Sequence, residues 1–190
     1  MRGLTFSCMK VFGWRFEGRL PDVNKLVVIA APHTSNWDLP LLLCLAFALK
    51  AKACWLGKHT LFRSPYGFLF KWMGGIPVYR SASQNVVAQT VETFRNSEKL
   101  ILTIPPEGTR SKVSHWKTGF YYIALGAEVP ISLGFIDYKR KVAGVGPTIY
   151  PTGNIEADME VIRDFYANVT AKYPEKAGLP ALAQNQNRER

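Results

Sequence analysis

Residues 32–38 read Pro-His-Thr-Ser-Asn-Trp-Asp, which sets His33 and Asp38 five positions apart. On one continuous helix that separation turns about 500°, so the two side chains would point about 140° apart and never meet. They meet only if His33 ends a strand and Asp38 opens the following helix. The aspartate can then accept a hydrogen bond from one imidazole nitrogen, fix the tautomer and leave the other nitrogen as a base. The pair alone leaves a second reading open, in which Asp38 only caps a helix and His33 is an ordinary turn residue. Asn36, between them, is a candidate supporting residue.

Two further clusters carry polar chemistry. Ile104-Pro-Pro-Glu-Gly-Thr-Arg-Ser-Lys places Glu107, Gly108, Thr109, Arg110 and Ser111 directly after an apolar run. A glycine lets backbone N–H groups approach a ligand, Thr and Ser offer hydroxyls, and Arg offers a planar fork that suits phosphate. Arg80 closes a second such stretch, Gly74-Gly-Ile-Pro-Val-Tyr-Arg80. The chain has no Walker phosphate loop and no G-x-S-x-G nucleophile elbow. His33, His59 and His115 lie far apart, and Cys8, Cys44 and Cys54 form no C-x-x-C pair. No metal site is therefore expected, and the cysteines read as reduced thiols.

These clusters need elements to hold them. Short β-branched or apolar runs at 25–31, 53–58, 76–80, 99–104, 129–137 and 139–147 read as strands. Helical patterns occupy 39–50, 64–75, 83–98, 118–127 and 155–172, the last with Ile155, Met159, Ile162, Phe165, Tyr166 and Val169 as its apolar set. The alternation predicts an α/β fold: a single-domain sandwich with a mixed, largely parallel central sheet flanked by helices. The domain is expected over 25–180, preceded by a basic aromatic segment at 1–24 and followed by a disordered tail at 181–190. In such folds sites gather beyond the carboxyl ends of strands, which is where all three polar clusters fall.

The charge balance points to an anionic partner. Twenty-four Lys and Arg face fourteen Asp and Glu, a formal charge of +10, which suits nucleic acid, an anionic membrane surface or a phosphorylated ligand. No nucleic-acid-binding motif is present, so nucleic acid is not an expected partner. Aromatic residues make up 13% of the chain, five of them Trp, and such rings sit well at a membrane interface. The longest uncharged apolar run, Leu39 to Leu49, falls well short of the ~20 residues of a spanning helix. The N-terminus lacks the apolar core of a signal peptide. Its Phe6, Val11, Phe12, Trp14 and Phe16, interleaved with Arg2, Lys10, Arg15 and Arg19, fit either a membrane-surface segment or a docking helix.

His33-x4-Asp38, then Gly75-Ile-Pro-Val-x-Arg80, then Pro106-Glu-Gly-Thr-Arg-Ser111, then Val129-Pro-Ile131 resemble, in order and spacing, the four sequence blocks of the glycerolphosphate and lysophospholipid acyltransferases, most closely the bacterial 1-acylglycerol-3-phosphate acyltransferase group. The resemblance spans roughly 25–137, and Lys117 and Gly119 also stand where that family often has Lys and Gly. It implies an acyltransferase fold and a place in phospholipid biosynthesis. The reaction it implies moves a fatty acyl group from acyl-CoA or acyl-acyl carrier protein to a hydroxyl of a lysophospholipid or glycerol phosphate. His33 is then the general base and Asp38 its orienter. Arg80 and Glu107, Gly108, Thr109, Arg110 and Ser111 hold the acceptor, supported by Lys117, and an apolar groove that includes the 61–73 segment takes the acyl chain. The resemblance implies no cofactor. It also implies a cytoplasmic protein, peripheral on the inner face of the cell membrane, with acyl carrier protein as a further partner. The chain departs from the family pattern at Pro32 and after Ile131, where a second proline is usual. These departures keep open the same chemistry on a non-phospholipid alcohol. The charge and the aromatics also suit a non-catalytic basic module for membrane or RNA.

Overall fold

The computed structural model describes residues 9–63, 65–79, 83–178 and 180–182. Seven strands form the sheet: β1 (Arg15–Glu17), β2 (Lys25–Ala31), β3 (Ala53–Lys58), β4 (Gly75–Val78), β5 (Leu100–Ile104), β6 (Ile131–Asp137) and β7 (Val142–Ile149). Their order across the sheet is β1-β7-β6-β2-β5-β3-β4. Every neighbouring pair is parallel except β6 and β7, which run antiparallel. The helices are α1 (Asp38–Ala48), α2 (Gly67–Trp72), α3 (Ser83–Arg95), α4 (Gly119–Gly126) and α5 (Ile155–Tyr166), with a short 3-10 turn at His59–Arg63 before α2. The expected mixed, largely parallel α/β sandwich is the observed fold.

Register sorts the side chains into two faces. Val27 pairs with Leu102 and with Ile131, and Ile29 with Ile104 and Leu133, so these residues share one side of the sheet. They form one cluster with Phe94 of α3, Phe120 and Ile123 of α4, and Met159, Ile162 and Tyr166 of α5. The main core therefore lies under α3, α4 and α5. The opposite side carries Leu26, Val28, Ile101, Thr103 and Trp55. The crossovers β2-α1-β3 and β3-α2-β4 both progress the same way along the sheet, and right-handedness puts α1 and α2 together on this second side. The packing agrees: a Cβ on Gly57 would stand 2.7 Å from the Phe62 ring, and one on Gly75 would stand 2.8 Å from it.

Three details differ from the sequence reading. β1 is a strand where none was expected; it extends the sheet by pairing with β7 through Arg15↔Val142 and Glu17↔Gly144. It leaves the sheet at Gly18, whose φ is +78° and where a Cβ would meet the Val145 carbonyl oxygen at 1.7 Å. The last helix stops at Tyr166 rather than running to 172. There Thr170 is drawn into an extended bond instead, its carbonyl accepting from the Tyr138 amide at 2.9 Å. Thirdly, the 61–73 segment divides. Phe62 and Phe70 turn inward against Trp55, whereas Leu61, Tyr66, Phe68, Leu69 and Trp72 are exposed to solvent.

Candidate active site

His33 and Asp38 come from the two ends of one turn. β2 delivers His33 at its carboxyl end, and Asp38 is the first residue of α1. Asp38 does not cap the helix: Trp37 stands at that position. Its carboxylate instead folds back over the turn. Oδ2 lies 3.1 Å from His33 Nδ1 and accepts from the amides of Thr34 and Ser35, both at 2.9 Å. Oδ1 accepts from the Tyr138 hydroxyl at 2.7 Å. With only 1% of Asp38 exposed, every lone pair that matters is spoken for inside the protein. Burial pushes its carboxyl up, but the bonds from His33, Tyr138 and the Ser35 amide outweigh burial and hold it below its ordinary value. A buried aspartate kept ionised in this way fixes the proton on Nδ1 and leaves Nε2 to accept one.

Glu107 sits differently from its expected part in acceptor binding. The loop after β5 turns its carboxylate inward, where Oε2 accepts from the His33 amide at 2.7 Å. The residue is 3% exposed, and its second oxygen, Oε1, is buried without a hydrogen-bond partner among the described residues. Burial pushes the carboxyl up to about 7, against the partial relief from the His33 amide and the His33 charge; Asp38 nearby adds to the rise. Glu107 thus ties the β5 loop to the backbone of His33 with its carboxylate turned inward.

The rest of that loop faces outward. Thr109, Arg110 and Ser111 are exposed, and Ser111 donates its amide to Thr109 Oγ1 at 3.3 Å. Gly108 has a φ of +66°, and a Cβ there would come 2.8 Å from Lys117 Nζ. A side chain at 108 would therefore be strained and would displace the lysine. The Lys117 amide donates to the Pro106 carbonyl at 2.9 Å, so Lys117 and Arg110 bring two cations to one loop. Asn36 is exposed at the mouth of the turn. Arg80 lies outside the described residues.

Sequence reading missed the far side of the dyad. Tyr138 follows the carboxyl end of β6, 100 residues from Asp38, and nothing in a linear pattern links the two. Burial, the Asp38 bond and the Asp38 charge all hold the Tyr138 hydroxyl well above its ordinary value, so it stays a donor. Trp14 meets its ring edge-on at 5.2 Å, and Lys172 lies over both Trp37 and Tyr138, at 5.1 and 5.8 Å. The Tyr173 amide donates to Thr34 Oγ1 at 3.3 Å, which draws the chain after α5 onto the His33 turn. The one available signal was positional: an aromatic hydroxyl at a strand's carboxyl end. Among the described residues no group of His, Cys, Asp and Glu side chains is placed to hold a metal ion.

Comparison with known proteins bears on the fold and the family. A solved structure, the 1-acyl-sn-glycerophosphate (LPA) acyltransferase PlsC from Thermotoga maritima, superimposes with a TM-score of 0.61 at 19% identity, covering 90% of this chain and 79% of that one. At that identity the similarity is one of fold. No curated protein matches the chain. The family model described as Acyltransferase matches residues 15–133, a span that takes in β1, the His33–Asp38 turn and the β5 loop, and on that match the chain belongs to the Acyltransferase family.

Proposed function

We propose that the protein transfers a fatty acyl group from a thioester, acyl-CoA or acyl-acyl carrier protein, to the hydroxyl of a lysophosphatidate or glycerol phosphate. The observation that carries this reading is His33 Nδ1 at 3.1 Å from an Asp38 that is buried and fully hydrogen-bonded. A hydroxyl is a weak nucleophile at neutral pH, so a base must take its proton as it attacks. His33 Nε2 takes that proton while the acceptor oxygen bonds to the thioester carbonyl carbon. Asp38 stabilises the imidazolium that results. As the tetrahedral centre collapses, the carbon–sulfur bond breaks and the imidazolium returns the proton to the leaving thiolate. The acceptor's own oxygen fills the place of a protease serine, and no acyl-enzyme is required.

The acceptor's phosphate is assigned to Arg110, Lys117 and Arg80, with the Thr109 and Ser111 hydroxyls as neutral donors and Gly108 shaping the turn, its amide donating to the Pro105 carbonyl at 3.2 Å. Two of these cations share the β5 loop, and the chain's charge of +10 suits an anionic substrate. Glu107 is assigned to His33 rather than to phosphate. The Thermotoga maritima protein is a 1-acyl-sn-glycerophosphate acyltransferase, and the same acceptor class fits here. The acyl chain is assigned to the side of the sheet between α1 and α2, where Val28, Ile101 and Thr103 remain partly open. The protein works as a peripheral one at the cytoplasmic leaflet, held by charge. No helix among the described residues is long and apolar enough to cross a membrane.

An acceptor panel tests the reading. Thiol release is followed with one acyl-CoA and one acyl-acyl carrier protein, against lysophosphatidate, glycerol 3-phosphate and neutral alcohols. Faster turnover of a phosphorylated acceptor supports the proposal. A preference for a neutral alcohol keeps the chemistry and rejects the acceptor.

A further inference from the structure

Helix α2 is amphipathic the wrong way round. Apolar side chains at Phe68, Leu69, Trp72 and Met73 share one face by their spacing, and in a surface helix such a face ordinarily meets the core. Here it meets solvent: Phe68 is 73% exposed and Trp72 83%, and Leu69 and Met73 are exposed as well. The inward face is made by Gly67, which is buried, and by Phe70, which packs edge-on against Trp55 and Phe62. A second exposed stripe, Leu39, Leu43 and Phe47, runs along α1 on the same side of the sheet. The chain enters α2 from the carboxyl end of β3, the edge of the sheet at which His33 also stands.

The segment that builds this face carries charge of one sign. Between Asp38 and Glu92 the sequence contains no acidic residue, whereas Lys50, Lys52, Lys58, Arg63, Lys71 and Arg80 fall there. All but Arg80, which lies outside the described residues, are exposed. A protein partner offers carboxylates and cations in mixture and is commonly answered by both. A face of aromatic rings carried on a segment whose only charges are cations matches a surface whose headgroups are anionic and whose interior is hydrocarbon, with Trp at the boundary.

We propose that the α2 face is the surface on which the protein sits on an anionic bilayer, with Phe68 and Trp72 entering the headgroup boundary and Lys58, Arg63 and Lys71 contacting lipid phosphates. This rests on the reading that the acceptor is a lipid, and it adds where that lipid's membrane meets the protein. The seat includes none of His33, Asp38 and the residues of the β5 loop, so its loss separates membrane contact from chemistry.

The experiment is co-sedimentation of the full chain with vesicles of phosphatidylcholine alone or containing about 30% phosphatidylglycerol, at low and high salt. The wild type is expected to bind the anionic vesicles and release from them as salt rises. Phe68→Ser/Trp72→Ser is expected to bind them at least about tenfold more weakly with its thermal melt unchanged. Trp72→Phe is expected to bind like wild type yet lose most of the tryptophan quenching seen with brominated acyl chains; this arm stands if the double variant fails to fold. Equal binding by the folded double variant, or undiminished quenching in Trp72→Phe, overturns the proposal. So does a wild-type dimer in sedimentation velocity that the double variant dissolves, since the occupant is then a second copy. Thiol release with a water-soluble short-chain lysophosphatidate is expected to be equal in wild type and double variant, and slower in the double variant only with vesicle-borne acceptor. A wild type that releases thiol with neither acceptor removes the acyl-transfer reading, and the vesicle arms still decide the docking face on their own.

Discussion

Glu107 gives a prediction whose size can be worked from the site. Its carboxyl is raised from an ordinary 4.5 to about 7, mainly by burial. The folded protein therefore holds a proton there that the unfolded chain gives up. Between those two pH values the native state binds more protons than the unfolded state, so stability falls as pH rises, and it levels off above about 7. At about 1.4 kcal/mol for each tenfold in proton affinity, that gap is worth about 3 kcal/mol. Glu107→Gln keeps the shape and an oxygen for the His33 amide but cannot ionise. The new amide carries a constant cost or gain of its own, which the comparison of slopes removes. The assay is urea unfolding of both proteins at pH 5, 7 and 8.5. The variant should gain on wild type by about 2.5 kcal/mol from the lowest pH to the highest, since pH 5 already lies inside the window, and its turnover should stay within about tenfold of wild type because the brace to His33 survives. Stability curves that run parallel through the whole range would refute the argument: Glu107 would then titrate like a solvated carboxylate, and its inward bond to His33 would not exist in solution.

Two further perturbations address other parts of the site and its frame. Tyr138→Phe removes one donor to Asp38 and little volume. Loss of a hydrogen bond to a charged group costs about 1.5–3 kcal/mol, so kcat should fall roughly tenfold to a hundredfold, and the low-pH limb of stability should move upward because Asp38 loses part of what holds its carboxyl down; urea melts between pH 3 and 6 check the second effect. Gly18→Ala sets a Cβ into the Val145 carbonyl at a φ of +78°, so β1 should detach from β7, with a stability loss of about 1–3 kcal/mol and fast amide exchange confined to the Arg15–Glu17 and Val142–Gly144 pairing.

Much of this architecture was legible because it rests on period and on local turn chemistry. The β-branched run Lys25-Leu-Val-Val-Ile-Ala-Ala31 is a strand buried on both faces and reads as one. The His33–Asp38 separation makes sense only across a strand-to-helix turn, and the structure has that turn. What stayed hidden depends on contacts between distant segments. β1 is a three-residue edge strand, Arg-Phe-Glu, with too few residues to show alternation. Tyr138 reaches Asp38 only because β6 lies beside β2 in the sheet. The inward turn of Glu107 follows from the path of the β5 loop against His33, and composition cannot say which side of a loop faces in. The end of α5 was overrun because Val169 continues the helical apolar period, whereas Thr170 there is held by a bond to Tyr138. The outward aromatic face of α2 is hidden for a related reason: apolar residues at helical spacing do not reveal which side of the helix the sheet will cover.

The central claim is that His33 acts as the base on the acceptor hydroxyl. The direct measurement is thiol release from acyl-CoA with lysophosphatidate, comparing wild type with a His33→Ala variant shown by circular dichroism and thermal melting to be folded. The account predicts a loss of at least about 10²–10⁴ in kcat, the usual worth of a positioned base, with little change in binding of the acceptor. Near-normal turnover in the folded variant would contradict it, and the His33–Asp38 pair would then be a structural turn and nothing more.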